Sequence, residues 1–152
     1  NTHADKAEVL PIGFNLQVIY PAIIYSNASF NWQYPQLWML LGMYEKSDVA
    51  NGKIKHHSPA KQKADEAKIF NSLVDYVANQ KPKMIVVMET NVRHNRLGGF
   101  KFGFIDYFSQ SPKFAAAFAK YRKISYVDGR EIYVLDPKSD ATNIIKNKNS
   151  QR

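Results

Sequence analysis

Residues 83–88 read KMIVVM and follow directly on an amphipathic helical pattern. A strand with one wet face alternates apolar and polar side chains. Five apolar residues in succession, β-branched at the centre, instead read as a strand covered on both faces, as in a parallel sheet. Upstream, Ala67, Phe70, Leu73, Val74 and Val77 recur at spacings of three and four, which predicts a helix with one buried stripe. Lys61, Lys63, Asp65, Glu66 and Lys68 are expected mostly off that stripe. Ser58 and Pro59 offer an N-cap and a first helical residue, and the helix is expected to end near Asn79, before Pro82. Further upstream, residues 8–14 (EVLPIGF) form a short apolar run suited to a buried strand, weakened by Pro11. Strand, helix and strand together predict a parallel crossover unit.

The second half repeats these signals. Residues 104–108 suit a helical turn. Ser111 and Pro112 open another helix, with Phe114, Ala117, Phe118 and Tyr121 on one face. Residues 124–127 and 131–135 flank Asp128 and Gly129, the strongest hairpin signal in the chain. The predicted fold is an α/β three-layer sandwich. Its central mixed sheet has a parallel core and a C-terminal β-hairpin at one edge. Residues 1–136 form one domain and 137–152 a polar, loose tail. The chain has 152 residues, enough to bury a core without staples.

Composition excludes several function classes. The chain has no cysteine, so disulfides and thiolate metal sites are ruled out. No apolar run approaches the roughly 18 residues that span a bilayer. The chain starts at Asn1 with neither an initiator Met nor a signal peptide, and is expected to be a piece of something longer. Phosphate-loop, dinucleotide-binding, nucleophile-elbow and zincin motifs do not occur. The adjacent His56 and His57 have no carboxylate at a useful local spacing, so no metal and no other cofactor is expected. The formal net charge of +8 favours anionic partners: phosphorylated ligands, an acidic membrane face or nucleic acid.

Ligands of open α/β sheets bind beyond the carboxyl ends of the parallel strands. Those ends are Phe14–Asn15 and Glu89–Arg96, the latter within a loop expected over residues 89–103. The candidate ligand-binding residues are therefore Asn15, Thr90, Asn91, Arg93 and Arg96, with the arginines suited to bidentate contact with a phosphate. A solvated basic loop accounts for the same composition. No residue is assigned a catalytic role.

Residues 18–38 (VIYPAIIYSNASFNWQYPQLW) are too apolar for a free loop and too interrupted for one helix. Here YPA at 20–22, IYS at 24–26, Ala28, YP at 34–35, LW at 37–38 and Leu40 resemble a segment of certain bacterial integral-membrane glycosyltransferases. It follows their last membrane spans. These are polytopic GT-C enzymes related to dolichyl-phosphate-mannose:protein mannosyltransferases. KPKMIVV at 81–87, SQSPKFAA at 109–116, YR at 121–122 and IYV at 132–134 follow in the family's order, so the resemblance covers residues 9–135. These are packing patterns, not catalytic ones.

The resemblance implies a non-catalytic domain on the extracytoplasmic (periplasmic) face of the inner membrane. It would position acceptor or donor, or brace the membrane part of the same polypeptide, in an enzyme using polyprenyl-phosphate-linked sugar. Its partners would be that membrane part and lipid-linked sugar or anionic headgroups, with the isolated domain a monomer. A stand-alone domain binding a phosphorylated ligand through residues 89–96 is the alternative, and a nucleic-acid-binding module the third. Trp32, Tyr34 and Trp38 are expected in the core, with the membrane interface as the other option.

Overall fold

The structure is a computed structural model and describes residues 7–15, 25, 27–88, 91–92 and 99–137, with 91–92 described as backbone only. Its larger sheet holds four strands: β1 (Val9–Ile12), β4 (Met84–Met88), β7 (Tyr121–Val127) and β8 (Arg130–Leu135), in the order β1-β4-β8-β7. β1 and β4 are parallel, with Leu10 opposite Ile85 and Ile12 opposite Val87. β4 to β8 and β8 to β7 are antiparallel. The fold is thus α/β with a mixed sheet and a C-terminal hairpin. β1 with β4 is the one parallel pairing of this sheet, and the hairpin supplies its other half. Asp128 and Gly129 turn the hairpin with φ of 48° and 76°, as a tight two-residue turn of this hand requires.

The five-residue apolar run behaves as its composition demands. Ile85 and Val87 face the main core, while Val86 and Met88 join Val9 in a smaller cluster on the opposite face, with Ala28 and Met84 against it. Gly13, just past β1, lets the backbone lie close to Met88. A Cβ there would stand 2.9 Å from the Met88 Cβ.

α1 (Ala64–Gln80) lays Ile69, Phe70, Leu73, Val74 and Val77 into the main core. It starts later than its cap signals predict. Ser58 makes no capping bond; Pro59–Lys61 is one 3-10 turn, and Gln62 and Lys63 are extended before the α-helix begins. Asp65 and Glu66 then occupy the first turn, where the helix dipole favours them. Lys81, at φ 49°, ends the helix in the left-handed conformation ahead of Pro82.

α2 (Phe104–Phe108) and α3 (Pro112–Phe118) follow the sequence signals more closely, and the Ser111 side chain caps α3 by accepting from the Phe114 N–H. Tyr121, however, opens β7 and is not on α3. Its ring still stacks on Phe118 at 5.8 Å, and its hydroxyl donates to the Pro82 carbonyl at 2.8 Å.

The sequence reading misses a second sheet of four two-residue strands: β2 (Val49–Ala50), β3 (Lys53–Ile54), β5 (Asn91–Val92) and β6 (Phe100–Lys101), ordered β2-β3-β6-β5. Asn51 and Gly52 make the predicted turn between β2 and β3. The loop expected over 89–103 is therefore partly strand. Two-residue strands carry no alternation, so pairing alone reveals them.

Of residues 18–38, positions 18–24 and 26 lie outside the described residues. Trp32 is buried in the main core, Tyr34 is half-buried, and Trp38, opening a 3-10 helix (Trp38–Met43), is 57% exposed. The core expectation thus holds for Trp32, holds partly for Tyr34, and fails for Trp38. The tail from residue 138 also lies outside the described residues. No helix among the described residues is long and apolar enough to cross a membrane.

Candidate functional site

Glu66 is the one buried charged residue among the described residues, at 0% exposure. It belongs to the helical stripe rather than off it. Positions 66, 70, 73 and 77 share one face at helical period, so the corrected reading lies in the periodicity itself. Burying a carboxylate is costly unless donors surround it. Here the Tyr44 and Tyr107 hydroxyls each donate to Oε1 at 2.9 Å, and His57 Nδ1 donates to Oε2 at 2.7 Å. Gln62 in turn donates to the Tyr107 hydroxyl at 3.3 Å. The His57 ring stacks on Tyr44 at 4.5 Å, and its Nε2 lies 3.9 Å from the Asp48 carboxylate. His57 therefore has carboxylates at hand after all. The chain brings them by folding residues 59–63 back over the first turn of α1.

Burial, reinforced by the Glu66 charge, raises the Tyr44 hydroxyl well above the ordinary tyrosine range. Burial, then Tyr44 and Glu66, does the same for Tyr107. Both hydroxyls keep their protons and serve as donors at any working pH. The cluster ties together the end of the 3-10 helix, the 55–58 loop, α1 and α2. With Glu66 fully enclosed and three donors upon it, the arrangement clamps these four segments together.

On the other side of Phe102 lies a cleft of about 220 Å³, lined by Lys53, Ile54, His56, Lys101, Gly103 and Asp106 among others. Lys53 and Lys101 are register partners in the parallel pairing of β3 and β6. Like charges opposed in a sheet repel and favour a nearby anion; the Glu131 carboxylate already interacts with Lys101. Asp106 adds an acceptor for hydroxyl groups. His56 donates from Nε2 to the Phe102 carbonyl, and its ring packs 4.9 Å from Phe102 and 5.1 Å from Tyr107.

Burial holds the His56 imidazole below its ordinary value of 6.5, against the opposing pull of the Phe102 carbonyl and the Asp106 and Glu66 charges. The native state thus favours neutral His56. Its contribution to stability is present above about pH 6.5 and is lost as pH falls through the depressed native value. Urea unfolding between about pH 7 and pH 5 is expected to show wild type losing more stability than His56→Gln. Equal losses in the two proteins would contradict this.

The predicted ligand residues are only partly placed. Asn15 is exposed just beyond β1. Asn91 lies in β5 with its backbone opposite Lys101, beside the cleft. Thr90, Arg93 and Arg96 lie outside the described residues. Lys53, Lys101 and Asp106 were missed, because charged residues on two-residue strands and a five-residue helix carry no periodic signal. Among the described residues, no group of three or more His, Asp or Glu side chains is placed to hold a metal ion. No protein-family model, curated protein or solved structure matches the chain.

Proposed function

We propose that this chain is a non-catalytic, extracytoplasmic domain of a membrane glycosyltransferase that draws on polyprenyl-phosphate-linked sugar. It aids donor or acceptor positioning or braces the membrane part. The observation that carries this reading is the state of Glu66. The carboxylate with the most developed hydrogen-bond environment is sealed from solvent and saturated by Tyr44, Tyr107 and His57, and it fastens the fold instead of meeting a substrate. Of the segments carrying the family resemblance, those from residue 81 onward supply β4, α3, the start of β7 and the middle of β8, while residues 20–24 and 26 lie outside the described residues. That later part of the resemblance rests on the framework of the domain. The net charge of +8 suits a surface close to anionic headgroups.

A second reading, a phosphorylated ligand held directly, is favoured by the register pairing of Lys53 with Lys101 next to the strand that bears Asn91. In it the cleft lysines would hold the phosphate, and Arg93 and Arg96 keep the phosphate-binding role expected from the sequence. The alternative of a nucleic-acid module gains no such feature.

One experiment with two arms tests these readings. In the first, the chain alone is incubated with polyprenyl-phosphate-sugar and acceptors, beside the parent enzyme with and without this segment. The expected result is no product from the chain alone and impaired transfer when the parent lacks it. Turnover by the isolated chain, or an upstream reading frame without membrane spans, would sink the accessory role. In the second, wild type, Lys53→Ala/Lys101→Ala and Arg93→Ala/Arg96→Ala are titrated with vesicles carrying undecaprenyl phosphate at two salt concentrations. Charge-assisted bonds are worth about 1.5–3 kcal/mol each, so each pair is expected to weaken binding at least about tenfold. Curves that fall together with salt in all three proteins would reduce the effect to diffuse charge.

A further inference from the structure

We infer that the outer edge of β7 is a docking site for an extended acidic segment of a partner protein, which joins the larger sheet as a fifth strand. The inference rests on the hairpin and goes beyond the accessory role; neither Glu66 nor the lysine cleft enters it.

The two edges of this sheet differ. β1 is four residues long and carries Pro11. The Val9 N–H donates to the Ser29 carbonyl at 2.9 Å, and the Ser29 N–H to the Ala7 carbonyl at 3.0 Å, so a crossing segment already occupies that edge. Pro11, two residues on, presents its backbone to the same side and offers no donor. A short, proline-bearing, covered strand is how sheets avoid unwanted pairing. β7 is seven residues long and has no proline. It is the last strand in the order β1-β4-β8-β7, so no strand among the described residues lies beyond it. Alternate backbone N–H and C=O groups along it point away from β8.

The side chains along this edge suit an interface. Five large apolar side chains stand exposed among the described residues, and three of them are Ile124, Tyr126 and Val127, at 47%, 59% and 49%. Apolar groups gathered on an unpaired edge favour the addition of another strand. Lysine is the usual guard of such an edge, but the charge of Lys123 is engaged within the hairpin. It pairs with Glu131 on β8, and its ammonium lies 5.5 Å from the centre of the Tyr126 ring. The register slips between Lys123 and Ser125, a bulge that leaves Ile124 without a partner on β8. Three paired residues remain on each side of it, 121–123 and 125–127, so an added strand finds a regular backbone at both ends.

Charge selects the occupant. Arg122 is exposed, and neither it nor Lys120 just before the strand has an acidic partner among the described residues. Arg130, opposite Val127, is matched by Asp128 at 3.7 Å. A second copy of this chain would set the same free cations against themselves, and two chains of net charge +8 repel. A strand that alternates Asp or Glu with apolar residues satisfies both features. Its backbone bonds along the edge, and its carboxylates meet Lys120 and Arg122.

Amide hydrogen exchange followed by NMR tests this with three peptides. They are TEVEYEVT, the same peptide with lysine for each glutamate, and the acidic peptide with proline for each valine. The expected result is a saturable slowing, by the first peptide, of the β7 amides that point away from β8, with the β1 amides unchanged. Neither control peptide is expected to slow them. In Arg122→Glu, an exposed position whose replacement leaves circular dichroism unchanged, the acidic peptide is expected to bind at least about threefold more weakly, the scale of an exposed ion pair. No slowing by the acidic peptide, equal effects of the valine and proline peptides, or equal affinity in Arg122→Glu would overturn the proposal. Slowing that needs no peptide and rises with protein concentration would give the edge to a second copy, and also overturn it. So would slowing in the free chain that is lost on removing residues 138–152, which would give the edge to the chain's own end.

Discussion

Replacing Glu66 with alanine is expected to lower the stability of the fold by about 3–5 kcal/mol, the range for removing one partner from a buried charged network. The loss has two parts. Tyr44 and Tyr107 are both fully buried, and each hydroxyl would lose the acceptor it now has in Glu66. A donor stranded away from water costs about 1–3 kcal/mol. His57, 22% exposed at its side chain, can turn to water and loses less. The loop over 59–63 would also lose the contact that holds it against α1. For a domain of this size the fall in Tm should be on the order of 10 °C. Glu66→Gln keeps one acceptor oxygen but sets an amide N–H₂ against one of the present donors, so an intermediate loss is expected. Urea titration of the three proteins measures this. A loss under about 1 kcal/mol for Glu66→Ala would mean the clamp contributes nothing net.

Phe70→Ala is the second large effect, at about 3–5 kcal/mol, the usual cost of deleting a buried phenylalanine ring. Phe70 is 3% exposed, stacks on Phe108 at 5.5 Å, and meets the Tyr107 ring edge-on at 5.2 Å. Its removal opens a cavity where α1 meets α2, next to the Glu66 clamp, so the two substitutions should not be additive. Phe118 gives the contrast. It sits on the predicted stripe of α3 but is only half-buried, while Phe114 is enclosed. Phe118→Ala is expected to cost about 1–2 kcal/mol, a fraction of the transfer free energy of a full ring. Denaturant midpoints decide the matter, and equal losses at Phe70 and Phe118 would contradict the burial difference.

The pairing of β1 with β4, the helix between them and the closing hairpin were legible in the chain because each rests on local chemistry. Residues 84–88 offer no polar face to water. Phe70, Leu73 and Val77 can share only a helical face, and Asp128 with Gly129 tolerates the positive φ of a tight turn. The start of α1 was misread for the same reason. Ser58 and Pro59 are good local signals, but the bond from His57 to Glu66 draws the chain back across the helix end before it begins. A local signal worth about 1 kcal/mol yields to a buried network worth several.

The candidate sites divide along the same line. Asn15 and Asn91 were placed from the rule that ligands gather at strand ends, and Asn91 does stand beside the cationic cleft, across from Lys101. Sequence by itself determined the α/β class, the parallel crossover, the hairpin, the positive charge and the exclusion of thiolate chemistry. Only the tertiary structure decided that Glu66 is the anchor of four segments, that Lys53 faces Lys101, and that Trp32 and Gln33 bond to Ser72. Each of these joins residues roughly 10 to 50 positions apart. Periodicity and turn chemistry act over a few residues. Contacts at longer range are set by which buried polar groups find partners once the core has closed.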